Sequence, residues 1–137
     1  SLLALIAGCG KDDPADSEPL IETYTGTYMT RNTTEVIGLA KKDSVTFVIT
    51  DGIFYSMTFR EVSSTDQLVD FCDHEGTLNL YTGTVMDFMP EVFLTSNCDT
   101  LRVPRGPFTL DFRTHEPEIY VEKSVGDSLF QMVLLQQ

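Results

Sequence analysis

The sequence predicts an all-β protein: an antiparallel up-and-down barrel or a strongly curled meander of eight or nine strands. From residue 20 onward, apolar and polar side chains alternate with a period of two. Turn residues interrupt this alternation at intervals of about ten residues. No stretch shows the period of a long amphipathic helix. A meander of this many strands hides its edges best by closing into a barrel or by curling into a sandwich.

The first half of this domain contains the clearest hairpin. A first strand is predicted over residues 22–31, and a short second strand over 36–41. Strands over 45–50 and 53–60 are joined by Asp51-Gly52, a dipeptide that accepts the positive φ angles of a tight turn. Residues 61–76 have no clean period, and 67–71 are predicted to form one helical turn.

The second half is predicted to continue as strands. A long strand is expected over residues 77–88, where Gly83 indicates a bend or bulge. Short strands follow over 92–95 and 108–113, separated by a Pro- and Gly-rich loop. The last hairpin is predicted over 118–135, turning at Gly126-Asp127.

Residues 1–8 are apolar and uncharged, and they are too short to span a bilayer, since eight helical residues reach about 12 Å. They are interpreted as the end of a signal peptide. The following motif, Ile6-Ala7-Gly8-Cys9, resembles the lipobox of bacterial lipoproteins. The resemblance implies cleavage after Gly8 and a diacylglyceryl group on the Cys9 thiol, completed by acyl chains such as palmitate. The alternative is a buried Cys9 in an ordinary N-terminal strand.

Residues 9–19 then form the acylated Cys and an acidic tether with two prolines, which cannot bury apolar area. Lys11-Asp12-Asp13 resembles the export signal of Bacteroidota lipoproteins, which implies display on the cell surface. The alternative is a solvated linker that happens to be acidic. The protein is expected to be anchored by its lipid to the bacterial outer membrane. The sequence leaves open whether the domain lies on the periplasmic or the external face of that membrane.

Charge and length restrict the remaining functions. The chain has 137 residues, with 21 acids against 9 bases and a net charge of −12. Nucleic acids and anionic bilayers are recognised through clustered Lys and Arg, so binding to either through a basic face is excluded. Residues 20–137 are predicted to form a single domain.

The first and last strands resemble those of lipocalins. Gly26-Thr27-Tyr28 is similar to the lipocalin Gly-x-Trp motif, with Tyr in place of Trp, and the closing Gly-Asp hairpin with its apolar last strand is similar to small lipocalin-like bacterial lipoproteins. The resemblance covers the layout of roughly residues 22–135. It implies a barrel that binds a ligand without catalysis.

Cys72 and Cys98 lie 26 residues apart in polar loop sequence. With Cys9 assigned to the lipid, these two are predicted to form a disulfide, which the oxidising envelope permits. Two free buried thiols are the alternative.

No catalytic motif is present: the sequence has no Gly-x-Ser-x-Gly, no phosphate loop and no Cys/His nucleophile pair. His74, between Asp73 and Glu75, is expected in a solvated acidic loop rather than in a metal site, because zinc requires three or four spaced ligands. We therefore predict no enzymatic activity, no metal and no cofactor beyond the covalent lipid.

Candidate ligand-binding residues come from two places. Tyr24, Tyr28 and Phe47 are expected to line an internal cavity near the first strand. Arg102 and Arg105 flank a stiff Val-Pro pair and are suited to receive a carboxylate or a phosphate, unless they pair with some of the many acids. The leading function is a lipid-anchored domain that binds a small hydrophobic or extended ligand, or an envelope protein. The alternative is a structural or accessory interaction protein whose barrel is filled by side chains.

Overall fold

A computed structural model describes residues 18–32, 40–61, 68–112 and 117–137. The lipobox with Cys9, most of the tether and most of the predicted strand over 36–41 lie outside these residues. Predictions about them stay predictions.

The described residues form eight strands, each antiparallel to the next, and the last strand pairs with the first. The all-β barrel that the sequence predicted is therefore confirmed, with the strand number and connectivity of a lipocalin-like barrel. In chain order the strands are β1 (Ile21–Asn32), β2 (Lys41–Thr50), β3 (Phe54–Phe59), β4 (His74–Tyr81), β5 (Val85–Phe93), β6 (Gly106–Phe112), β7 (Ile119–Val125) and β8 (Ser128–Gln136).

The predicted turn at Asp51-Gly52 is confirmed. Asp51 has φ 55° and Gly52 has φ 70°, so both central residues occupy the left-handed region that this turn requires. The turn also contacts the residue that precedes β1, because the Asp51 N–H donates to the Leu20 carbonyl at 2.8 Å.

The prediction of one long strand over 77–88 is wrong. The chain reverses at Thr82 (φ 54°) and Gly83 (φ 74°), and the Thr84 N–H donates to the Tyr81 carbonyl at 3.1 Å. Leu80 pairs with Met86 across this turn, so even-numbered residues face inward on both strands. The alternation therefore passes through the turn unbroken, and periodicity alone cannot separate this hairpin from a straight strand.

Two further predictions are corrected. The predicted short strand over 92–95 begins inside β5, which ends at Phe93. The predicted helical turn over 67–71 is absent from the described residues 68–71, where Val69 instead forms a parallel bridge to Cys98.

The barrel has two different ends. The N-terminal end carries the start of β1 and the turns at 51–52 and 82–83. The opposite end, which we call the capped end, carries the segments that join β3 to β4 and β5 to β6. A disulfide between Cys72 and Cys98 connects these two segments, with a Cα–Cα distance of 5.2 Å.

Candidate functional site

The three aromatic residues predicted to line a cavity lie inside the barrel and are packed against one another and their neighbours. Tyr24 and Phe47 have ring centroids 6.0 Å apart, and Tyr28 lies 5.2 Å from Phe71. All three predicted residues are almost completely buried. Packing at these distances is typical of a hydrophobic core. Their assignment as ligand contacts stays a prediction.

The two phenol groups have protein partners. The Tyr24 hydroxyl donates to the carboxylate of Glu22, and the Tyr28 hydroxyl donates to the Arg102 carbonyl at 2.5 Å. Burial is the main cause that raises the pKa of both tyrosines; for Tyr24 the hydrogen bond to Glu22 adds to it. Both phenols therefore stay protonated and act as donors inside the barrel.

Gly26, between these tyrosines, allows two strands to approach closely. A Cβ atom at this position would lie 1.8 Å from the Val133 carbonyl oxygen on β8. The space that the glycine leaves is therefore filled by the backbone of the neighbouring strand, at the point where β1 and β8 close the barrel.

The capped end is closed by a small structure that we call the cap, formed by residues 68–72 and 94–105. Val69 donates to the Asn97 carbonyl at 3.0 Å and accepts from the Asp99 N–H at 3.2 Å, next to the Cys72–Cys98 disulfide. Within the cap, Phe71, Cys72 and Val103 are buried. The predicted disulfide is thus present, and it joins two loops over the mouth of the barrel.

The two arginines predicted to receive an anion differ in their surroundings. The Arg102 guanidinium donates to Thr30 Oγ1 at 2.6 Å and to Asp99 Oδ2 at 3.1 Å, so it ties the cap to β1. Arg105 is exposed, and its guanidinium carbon lies 5.7 Å from the Phe93 ring centroid. Arg102 therefore matches the alternative of pairing with an acid, and Arg105 presents its charge at the surface of the cap.

His74 does not lie in a solvated loop, and this expectation is wrong. It begins β4, has no exposed surface, and its Nδ1 lies 2.9 Å from the Cys72 carbonyl and its Nε2 3.1 Å from the Tyr55 hydroxyl. This geometry fits a neutral ring that donates from Nδ1 and accepts at Nε2. Burial lowers the pKa of His74, in spite of its bond to the Cys72 carbonyl.

The barrel wall opens near Arg105. β6 pairs with β7 only between Thr109–Phe112 and Ile119–Glu122, so Gly106–Phe108 and Lys123–Val125 face each other without ladder hydrogen bonds. We call this opening the seam. At Gly106, φ is 75°, and the next residue is a proline, which has no N–H to donate. Both residues lie in the part of β6 that pairs with β5 and has no partner on β7.

A pocket of about 230 Å³ lies at the seam. Its wall is mainly aromatic and aliphatic, with two cationic side chains and one hydroxyl. The residues that line it are Leu101, Val103, Arg105, Phe108, Lys123, Val125, Ser128 and Phe130. The Lys123 ammonium donates to the Arg105 carbonyl and lies 5.8 Å from the Phe108 ring centroid, so it is held at the edge of an apolar surface.

A second pocket of about 240 Å³ adjoins the first and shares Leu101, Ser128 and Phe130 with it. It is lined also by Arg31 and Arg102, next to Asp99. Leu101 projects between the two pockets and is 85% exposed, which is unusual for a leucine. Together they form a continuous concave surface at the capped end.

Sequence reasoning located Arg105 but missed Lys123, Phe108 and Phe130. In the sequence, Lys123 is one charge in a predicted strand, and nothing local shows that β6 and β7 separate beside it. The available signal was the Pro-Arg-Gly-Pro segment at residues 104–107, where two prolines and a glycine in four residues disfavour continuous strand pairing.

No known protein family, curated protein or solved structure matches this chain. Within the described ranges, no helix is long and apolar enough to cross a bilayer. The same ranges contain no group of three or more His, Cys, Asp or Glu side chains placed to hold a metal ion. The geometry at the capped end is therefore the basis for a functional proposal.

Proposed function

We propose that this chain is a lipid-anchored envelope lipoprotein whose barrel binds a small amphipathic anion at the seam, without catalysis. One observation carries the ligand class: the seam pocket contains two cations and, among the described residues that line it, no carboxylate. In a chain with a net charge of −12, a cationic pocket is the exception. The side chains of Arg105 and Lys123 bind the negatively charged group of the ligand.

The apolar part of the pocket indicates that the rest of the ligand is apolar. Phe108, Phe130 and Val125 provide a surface against which a short hydrocarbon or an aromatic ring packs. An apolar lining with a few placed polar groups is the usual composition of small-molecule sites. At about 230 Å³, the pocket lies below the usual range of roughly 300–1,000 Å³, so a small ligand is expected unless it extends toward Arg31 in the adjoining pocket.

The ligand class is tested with octanoate and octylamine, which have the same chain and opposite charges. Titration is followed by NMR, on the chain carrying Cys9→Ser to remove the reactive thiol. Octanoate is expected to shift the amide signals of Phe108, Val125 and Phe130, and octylamine is not. Equal binding of both probes, or binding of neither, contradicts the proposal.

The residues are tested with Lys123→Met and a matched control, Lys42→Met. Lys42 is an exposed lysine on β2, away from the seam. A hydrogen bond to a charged group contributes about 1.5–3 kcal/mol, so Lys123→Met is expected to weaken octanoate binding about 10- to 100-fold. Lys42→Met is expected to change it by less than a factor of about two, since it removes the same charge elsewhere.

The anchor rests on Cys9 and the resemblance of its motif to a lipobox. Buried acyl carbons contribute about 0.8 kcal/mol per CH₂, so two or three chains hold a protein on a membrane stably. Cys9→Ala in the precursor is expected to release the domain from the detergent-dependent membrane fraction. Variant protein that remains in that fraction contradicts the assignment.

A second candidate function is an accessory protein of the envelope whose barrel serves only as a rigid body. It is favoured by the aromatic packing of Tyr24, Tyr28 and Phe47 in the interior. This candidate predicts that no small ligand co-purifies with the protein and that octanoate does not bind. Native mass spectrometry of the purified lipoprotein separates the two.

A further inference from the structure

The outer surface of the barrel is divided into two halves of different charge. On β8, β1, β2 and β3 the outward positions carry no carboxylate. The uncharged outward residues on these strands are Leu129, Gln131, Val133 and Leu135 on β8, Ile21, Thr23, Thr25, Thr27 and Met29 on β1, Ser44, Thr46, Val48 and Thr50 on β2, and Phe54, Ser56 and Thr58 on β3. We call this set the acid-free wall.

The charges on these four strands lie elsewhere. Glu22, Lys41 and Asp43 occupy the alternate, inward positions of β1 and β2. The outward cations Arg31 and Lys42 both lie at the capped end, where they border the wall. The strands that complete the barrel, β4 to β7, carry outward carboxylates at Glu75, Asp87, Asp111 and Glu122.

This division is unusual because charged residues make up 22% of the chain and exposed strand positions are where they normally lie. The strand register shows that the wall is continuous. Leu135, Thr25, Thr46 and Thr58 are successive cross-strand partners and form one row across all four strands. The next row, Val133–Thr27–Ser44, is also uncharged. These rows are therefore a neutral surface of aliphatic and small hydroxyl side chains, and Glu118 borders it where it lines a hollow with Thr25, Val133 and Leu135.

We propose that the acid-free wall is an interface between two copies of this chain. Two bodies with a charge of −12 repel each other, and close like charges across an interface cost several kcal/mol. A contact centred on β1 and β2 keeps most carboxylates of β4 to β7 on the outside of both copies; Glu118 and Glu122 border the wall beside β8. A neutral wall is also compatible with itself, which is the requirement of an interface with two-fold symmetry. Its methyl groups pack, and its threonine hydroxyls serve as donors and acceptors at once.

The size of the wall sets the expected strength. Four strands about 4.8 Å apart, with β1 and β8 running at about 3.3 Å per residue, give a projected area of roughly 500–600 Å². A standard interface buries about 800 Å² on each partner, and a convex barrel wall brings fewer strands into full contact. The dimer is therefore expected to be weak and to depend mainly on β1 and β2. The seam opens between β6 and β7, beyond the β8 border of the wall, so it stays accessible in the dimer.

The proposal is tested by sedimentation equilibrium of the full chain carrying Cys9→Ser, so that no disulfide joins two copies. The unmodified wall is expected to give a concentration-dependent dimer. Thr46→Glu, which places a carboxylate at the centre of the wall, is expected to raise the dimer dissociation constant at least tenfold. Asn79→Glu adds the same charge to the exposed outer surface of β4 and is expected to leave the dimer intact. Because all three proteins share residues 1–17, association through that segment would not distinguish them.

Salt provides an independent signature. The Debye length falls from about 30 Å at 0.01 M to about 10 Å at 0.1 M, so added salt screens the repulsion between two acidic bodies. The dimer is expected to strengthen as NaCl rises over this range, whereas an association held by ion pairs would weaken.

Thermal unfolding checks that Thr46→Glu folds, and Thr25→Glu, on the neighbouring strand in the same row, provides a second variant if it does not. A monomer at all concentrations, or equal dimers of Thr46→Glu and Asn79→Glu, overturns the proposal.

Discussion

The hydroxyl of Tyr28 donates a hydrogen bond to the main-chain carbonyl of Arg102, 74 residues later in the chain, at 2.5 Å. The Arg102 guanidinium in turn donates to Thr30 Oγ1, one inward position beyond Tyr28 on the same strand. Two contacts therefore tie the cap to β1 from within the barrel. Because the cap residues Leu101, Val103 and Arg105 line the seam pocket, the shape of that pocket depends on these contacts.

Tyr28→Phe is expected to loosen the cap while the barrel persists. The substitution leaves the Arg102 carbonyl without this donor and removes no ring packing, so a loss of about 1–2 kcal/mol in the free energy of unfolding is expected. Hydrogen exchange should rise at the cap amides, such as those of Val69 and Asp99, more than in β2. Tyr120→Phe is the control, because that hydroxyl bonds to Glu118 away from the cap. Equal exchange in the two variants would contradict the role of Tyr28.

The Cys72–Cys98 disulfide is expected to contribute to both stability and binding. A closed loop of 26 residues contributes at most about 3.5 kcal/mol in the chain-entropy description. The double variant Cys72→Ser/Cys98→Ser is therefore expected to lower the unfolding midpoint and to weaken octanoate binding, since the disulfide also positions the cap wall of the pocket. The measurements are chemical denaturation and the NMR titration. Binding that stays unchanged in a destabilised variant would show that the cap holds its shape without the disulfide.

The core pattern of the barrel was predictable from the sequence. Inward residues such as Val45, Phe47 and Ile49 alternate with polar residues, and the turn at Asp51-Gly52 has a local signature. The position of the turn at Thr82-Gly83 was not predictable from periodicity, because inward residues keep the same parity on both sides of it. Alternation reports which face a residue takes, and it does not report where the chain reverses.

The site was less predictable than the fold because it depends on contacts between distant residues. Lys123 reaches the Arg105 carbonyl only because β6 and β7 stop pairing after Thr109 and Glu122. His74 has acidic neighbours in sequence, yet its ring is buried against Tyr55, 19 residues away. The absence of a ladder hydrogen bond and the burial of one ring are properties of the closed barrel, and local composition does not encode them.

The buried His74 is expected to make stability depend on pH. Burial lowers its pKa in the folded protein below the ordinary value of 6.5, so the unfolded chain binds the proton more readily. The contribution of the neutral ring is therefore complete above about pH 6.5 and is lost progressively as the pH falls below it. The check is the unfolding midpoint between pH 5 and 7.5, compared with His74→Phe. The variant is expected to be less stable throughout and to show a smaller loss on acidification, and an identical slope would assign the pH dependence to other groups.

Gly26 distinguishes a packing role from a ligand-binding role at the first strand. A Cβ at this position would lie 1.8 Å from the Val133 carbonyl oxygen and 3.0 Å from the Leu134 Cα, and both atoms belong to the backbone of β8. A backbone cannot move aside as the end of a flexible side chain does, so Gly26→Ala must push β1 and β8 apart where they close the barrel. We expect a loss of about 3 kcal/mol in the free energy of unfolding, at the upper end of the range for overpacking. The control is Thr27→Val, a substitution of similar shape on the outer side of the same strand, which is expected to change stability by less than about 0.5 kcal/mol. Denaturant unfolding of both variants is the measurement, together with octanoate titration of Gly26→Ala under conditions where it is folded. A Gly26→Ala protein that keeps its stability and loses octanoate binding would place the ligand beside Tyr24 and Tyr28 instead of at the seam.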